Sequence, residues 1–248
     1  MSRSPSNTGR SAAAVEGLLE NRLEDLLRDL GPRVRLGGSP LGCSTEAPAR
    51  LPTGLPDIDR LLGDGEPGFP RGRLSEISGP ASSGRTSLTL ALLAQTTSAG
   101  EVAALVDDAD AFDPASAARS GTQLDRVLWV RAPGTSESLR CAERLLEAHG
   151  FALVLLDLAI PNLRIAPATG PRLARAAAST GTALVVMTRE RAMGTAAEVA
   201  IELAAAKSQF TGTPPLLEAL EIQAALVRHR TAPIQRCATV RLRTSQAA

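Results

Sequence analysis

Nine consecutive residues, Gly79-Pro-Ala-Ser-Ser-Gly-Arg-Thr-Ser87, constrain the fold of this chain more than any other stretch. They follow a short apolar run, Leu74–Ser78, and open a helical pattern expected over about 85–99. Glycine, four residues, glycine, a cation and then hydroxyls is the P-loop pattern, with one exception: Arg85 stands where the pattern has lysine. The glycines let main-chain N–H groups curl around a phosphate, the helix N-terminus adds positive potential, and a hydroxyl such as Thr86 suits Mg²⁺. Gly79, Ser82, Ser83, Gly84, Arg85, Thr86 and Ser87 are the candidate nucleotide-binding residues. Arginine keeps the charge, but its longer, planar, forked head does not fit the space of a compact ammonium.

A phosphate loop between strand and helix belongs to an α/β core, and the rest of the chain supplies one. Short apolar runs at Leu74–Ser78, Val102–Asp107, Arg126–Val130, Ala152–Leu158 and Thr182–Met187 read as strands. Helical patterns at about 85–99, 135–149 and 168–179 alternate with them, which predicts a mostly parallel central sheet flanked by helices. After 195 the pattern is ambiguous. Ala196–Lys207 and Leu216–Arg230 read as helix or strand, and Cys237–Arg243 alternates like an edge strand in a C-terminal β-hairpin region. Upstream, residues 1–11 are small and polar and read as a disordered tail. An N-terminal helix appendage, 12–36, carries Leu18, Leu19, Leu23, Leu26, Leu27 and Leu30 at three- and four-residue steps up to Gly31-Pro32. A Pro/Gly-rich linker, 37–56, precedes a core domain expected over 57–245.

Composition removes several classes. The chain has 248 residues and a formal net charge of +1, which argues against a uniformly basic coat for nucleic acid. No apolar run approaches the ~20 residues that span a bilayer, and no apolar h-region follows the polar start. The expected setting is therefore the cytoplasm, with no membrane partner. Cys43, Cys141 and Cys237 are widely spaced and form no CxxC pair, and His149 and His229 are the only histidines, so a zinc site is not expected. Lys207 is the single lysine among 27 basic residues. Such a bias toward arginine weakens any argument from Arg85 alone.

Asp157 ends the apolar run Ala152-Leu-Val-Leu-Leu-Asp157, the place of a Walker B aspartate that orients Mg²⁺. With it in order, the sequence resembles the RecA recombinase core over about 15–243. The resemblance rests on Leu74–Leu88 around the loop, on Leu105-Val-Asp-Asp-Ala-Asp-Ala-Phe-Asp-Pro114, and on the lead-in Leu51-Pro-Thr-Gly-Leu-Pro-Asp-Ile-Asp-Arg-Leu-Leu62. Leu226-Val-Arg-His-Arg-Thr-Ala-Pro233 is similar to the basic segment that reaches a neighbour's nucleotide in RecA filaments. The resemblance implies ATP and Mg²⁺ as cofactor, with Thr86 and Asp157 on the metal side, and leaves no room for that family's C-terminal domain.

The departures bear on function. Aligning Asp113-Pro114 with the family's Asp-Pro puts Ala109 where the catalytic glutamate would activate water. Asp107, Asp108 and Asp110 are near, but a carboxylate one strand position away points to the opposite face. The γ-phosphate sensor, glutamine in the family, falls on Thr188 or Arg189, and the first DNA-binding loop is cut to about Leu158–Ala168. A RecA fold with a degenerate ATP site resembles the ImuA-type family. That resemblance implies an accessory role in SOS mutagenesis and translesion synthesis in the bacterial cytoplasm, at the nucleoid after damage. RecA and an ImuB-type Y-family polymerase relative are the implied partners. Two other readings stand beside it: an active DNA-dependent ATPase or recombinase of the RecA class, and a SulA-like cell-division inhibitor.

The remaining basic residues have two readings each. Arg228, Arg230 and Arg236 lie in an acid-free C-terminal stretch, and Arg189 and Arg191 lie where a second DNA loop would fall. They are candidates for contact with DNA or a neighbouring subunit, or they solvate a sheet edge. No aromatic residues interleave with them to stack bases. Trp129 is expected in the core. The leucine helix either packs on its own core or supports self-association and partner docking.

Overall fold

The computed structural model describes residues 49–63, 65–204, 206–230 and 236–243. All of them fall within a compact unit that spans 48–248. The expected tail 1–11, the helix 12–36 and most of the linker 37–56 lie outside the described residues. The end of that linker is folded: Arg50–Leu51 (β1) pairs antiparallel with Phe69–Pro70 (β2), and Leu51 and Thr53 are buried.

Between them Pro56–Leu62 (α1) starts on a proline at its first turn and buries Ile58, Leu61 and Leu62. The expected strands follow as β3 (Leu74–Ser78), β4 (Ala103–Asp107), β5 (Val127–Arg131), β6 (Leu153–Asp157) and β7 (Ala183–Thr188). The expected helices are α2 (Arg85–Ser98), α4 (Thr135–Glu147) and α5 (Thr169–Thr180). A further short helix, α3 (Pro114–Arg119), was not foreseen. Asp113 caps it, its carboxylate accepting from the Ala115 and Ser116 amides, and Pro114 takes the first helical position.

Both ambiguous segments are extended. Val199–Leu203 (β8), Lys207–Thr211 (β9), Leu216–His229 (β10) and Arg236–Arg243 (β11) complete a sheet of order β11-β10-β8-β3-β7-β6-β4-β5, with β9 pairing β10. The run from β8 to β5 is parallel, and β10 is antiparallel to β8, β9 and β11. Val199–Leu203 is short and too fully buried to offer a helix's polar face, and in β10 Ile222, Ala224 and Leu226 turn alternate side chains into the core.

The central strands are buried on both sides, as parallel strands under crossover helices must be. Alternate residues divide the core. Leu105, Leu153, Leu155 and Val185 pack with Leu88, Leu92 and Leu93 of α2. Ala104, Val106, Val154 and Val186 face Leu139 and Leu146 of α4 and Leu173 of α5. Trp129, expected in the core, sits half-buried at its rim, edge-on to Phe112 at a centroid distance of 5.3 Å. Among the described residues no helix is long and apolar enough to cross a membrane.

Candidate nucleotide site

The loop 79–84 takes its shape from contacts that leave no room for side chains at its glycines. A Cβ on Gly79 would stand 2.7 Å from the Leu203 carbonyl oxygen of β8. One on Gly84, at φ +88°, would stand 2.0 Å from Cδ1 of Ile222 in β10. The antiparallel end of the sheet thus buttresses the loop, and the Ala206 amide donates to the Ser82 carbonyl at 3.1 Å. Gly84 is also the N-cap of α2 and brings no side-chain acceptor. The first-turn amides that a helix cannot satisfy internally therefore face outward, an arrangement that suits an anion. They open on a cavity of about 330 Å³ lined by Ser82–Ser87, Ala206, Ser208 and Leu220. The buried Ser83 hydroxyl has no partner, a polar atom ready for a ligand oxygen.

Arg85 does not lie across this cradle as a free cation. Its Nη1 donates to the Thr188 carbonyl at 2.9 Å, while its Nε is buried without a partner. Burial lowers the guanidinium pKa from its ordinary value, opposed by the nearby Asp157 carboxylate and reinforced by Arg189. Asp157 ends β6 as expected, and its Oδ1 accepts from the Ala159 amide at 2.9 Å. Burial raises its pKa; that amide and Arg85 pull it down, while Asp107 and Asp108 push it further up. The two residues of opposite charge thus lie near enough to stabilise each other's charged form.

The neighbouring aspartates accept from internal donors, apart from Asp108 Oδ1, which is buried without a partner. Asp107 is buried and accepts from the amides of Ala111 (3.1 Å) and Phe112 (2.9 Å) and from Trp129 Nε1 (3.3 Å). Asp108 Oδ2 accepts from the Thr135 hydroxyl at 3.0 Å. Asp110, at φ +53°, forks onto the Arg131 guanidinium at the surface. Ala109 stands exposed between them. Among the described residues no cluster of acids, histidines and cysteines could hold a metal ion on its own. A cation here would depend on Thr86, Asp157 and the ligand's own oxygens.

Of the two sensor positions, Thr188 is buried and its hydroxyl donates to Glu76 at 3.2 Å. Arg189 is exposed, with Nε on the Ala159 carbonyl at 2.9 Å, so it ties the segment after β7 to the short 158–168 loop. Arg191 is exposed in the same segment. Arg228 donates to the carbonyls of Ala197 (2.5 Å) and Thr195 (3.3 Å), and Arg230 pairs with Glu198 at 3.6 Å. These four basic residues therefore gather around the segment after β7. Arg236 lies apart, lining a separate cavity with Arg60 and Asp57 of α1. Sequence reading missed Glu76, Ala206, Ser208 and Leu220. An acid inside the otherwise buried run Leu74-Ser-Glu-Ile-Ser78 was the available signal for the first; nothing local marked the others.

Residues 32–169, more than half of the chain, match the RecA N-terminal domain family. Protein RecA of Borrelia hermsii is 39% identical over 128 residues, which are 51% of this chain and 34% of that protein. Protein RecA of Clavibacter michiganensis is 40% identical over 149 residues, 59% of this chain and 40% of that protein. The aligned part of the chain thus spans about a third to two-fifths of these relatives. The crystal structure of the RadB recombinase superposes with a TM-score of 0.60 at 23% identity, covering 76% of this chain and 94% of that one. That likeness is one of fold. The chain belongs to the RecA N-terminal domain family.

Proposed function

We propose that this protein is a RecA-fold accessory factor in damage-induced mutagenesis and translesion synthesis. It acts through contacts with RecA, an ImuB-type polymerase relative and DNA, in the bacterial cytoplasm and at the nucleoid after damage. The observation that carries the reading is that the position aligned with the family's water-activating glutamate holds Ala109, which has no carboxylate. Ala109 occupies the exposed position between Asp108 and Asp110; Asp107 and Asp110 accept from internal donors, and Asp108 accepts from Thr135 through Oδ2 while its Oδ1 is buried without a partner. A general base must reach its water within hydrogen-bond distance.

The cradle itself fits phosphate. Ser82–Ser87 surround the cavity, and the buried Ser83 hydroxyl has no partner. Thr86 and Asp157 are the groups that would hold Mg²⁺ on a bound ATP, whose chemistry is a transferable γ-phosphoryl group. Arg85 meets it less well than lysine would, since its Nη1 is already bonded to Thr188. The proposed role is therefore one of binding.

Steady-state ATP turnover with and without single-stranded DNA, beside a RecA control, tests this. The expected result is little turnover and no DNA stimulation, with capture of purified RecA or ImuB-type protein. Robust DNA-stimulated hydrolysis would overturn the reading in favour of an active RecA-class ATPase, which the loop's glycine spacing and Asp157 favour. Selective capture of FtsZ would instead point to a SulA-like division inhibitor.

A further inference from the structure

Glu76 lies in the middle of β3 and is completely buried. Its Oε1 accepts from the Ala192 amide (2.6 Å), the Met193 amide (3.2 Å) and the Thr188 hydroxyl (3.2 Å). Its Oε2 is buried with no partner. A carboxylate is costly to bury, and donors are what make it tolerable. Here every donor comes from the end of β7 or the segment that follows it.

The same segment is held at its other end and from below. Arg228 grips the carbonyls of Thr195 and Ala197. Gly170, in the first turn of α5, lies so close that a Cβ there would meet Ala196 Cβ at 2.9 Å and the Met193 carbonyl at 3.4 Å. Met193 is buried, and Arg189 reaches the Ala159 carbonyl. None of Glu76, Gly170 and Arg228 lines the phosphate cavity. Arg85 links the cradle to Thr188, but that carbonyl also accepts from the Gly79 amide at 3.2 Å.

We infer that the 189–198 segment is a surface set by the fold itself, anchored on Glu76 whether or not a phosphate occupies the cradle. It presents Arg189, Glu190 and Arg191 to solvent. The inference rests on the binding role proposed above and extends it to regulation: the protein displays this surface without needing nucleotide.

Hydrogen–deuterium exchange on the full chain tests the anchor. In nucleotide-free protein the Ala192 and Met193 amides are expected to exchange about ten- to a hundredfold slower than unstructured reference amides. Adding ATP with Mg²⁺ leaves those rates unchanged. Glu76→Gln keeps the shape and an acceptor oxygen but removes the charge, and speeds exchange severalfold. Should that variant fold poorly, Gly170→Ala moves the segment through Ala196 without touching the carboxylate, and speeds the Met193 amide likewise. Reference-like exchange that slows only when ATP and Mg²⁺ are added overturns the inference, as does unchanged exchange in both variants. DNA-stimulated hydrolysis, by contrast, overturns the functional reading and leaves the exchange result standing.

Discussion

The guanidinium of Arg85 and the main-chain carbonyl of Thr188 are hydrogen-bonded at 2.9 Å across 103 residues of sequence. The cation that a phosphate loop reserves for its ligand is thereby turned toward the end of β7, with Asp157 beside it. An ammonium on a shorter reach would serve the cradle differently.

Arg85→Lys is accordingly expected to tighten ATP binding, read by calorimetry with Mg²⁺ present. Ala109→Glu adds a carboxylate at an exposed position, so the fold should accept it. The double variant is expected to exceed either single change in ATP turnover by about a hundredfold, the lower range for a positioned general base. No gain from the pair would mean that the site lacks more than these two groups.

Gly84→Ala should be among the more damaging small substitutions. Its φ of +88° strains any L side chain, and the new Cβ would fall 2.0 Å from Ile222 Cδ1. A cost of about 2–4 kcal/mol follows from strain plus overpacking. Gly181→Ala is the control, in the same left-handed region as Gly84 (φ +73°, ψ 8°) but with nothing within 4 Å of its Cβ. Urea unfolding of the two variants separates the steric part from the backbone part.

Asp157 links stability to pH in the less usual direction. Burial raises its pKa in the folded protein, so the native state holds its proton more tightly than the unfolded chain. Stability from this group falls as pH rises from the ordinary carboxylate value through the raised one, and the cost stays in full above it. Asp157→Asn should therefore unfold at higher urea than the parent near neutral pH, with the difference closing at acid pH. A difference that grows on acidification would contradict the assignment.

Asp107 organises the turn after β4. Asp107→Ala would leave the Ala111 and Phe112 amides and Trp129 Nε1 without their acceptor. About 3 kcal/mol of destabilisation is expected for donors left in so buried a place. Trp129 is the only tryptophan, so its fluorescence should change in the folded variant and report the lost bond directly.

Much of the architecture is legible in the sequence. β3, β6 and α2 fall within a residue or two of the runs that announced them, because alternation and apolar run length are local properties. The short helix α3 was not read, although Asp113-Pro114 is a cap followed by a first-turn proline. β8 and β10 stayed ambiguous because their burial depends on neighbours far away in sequence, such as Ile222 against Gly84.

The sequence by itself determined that a loop of P-loop spacing sits between a buried strand and a helix, that Asp157 ends an apolar strand, and that Ala109 stands between Asp108 and Asp110. These follow from backbone geometry and from residue identity at fixed spacing. Only the tertiary structure decided where Arg85 points, what Asp107, Asp108 and Asp110 are bonded to, and that Glu76 holds the segment after β7. A long polar side chain selects its partner from whatever the crossovers bring within about 3 Å. Glu76 meets Ala192 across 116 residues of chain, a distance no local pattern encodes.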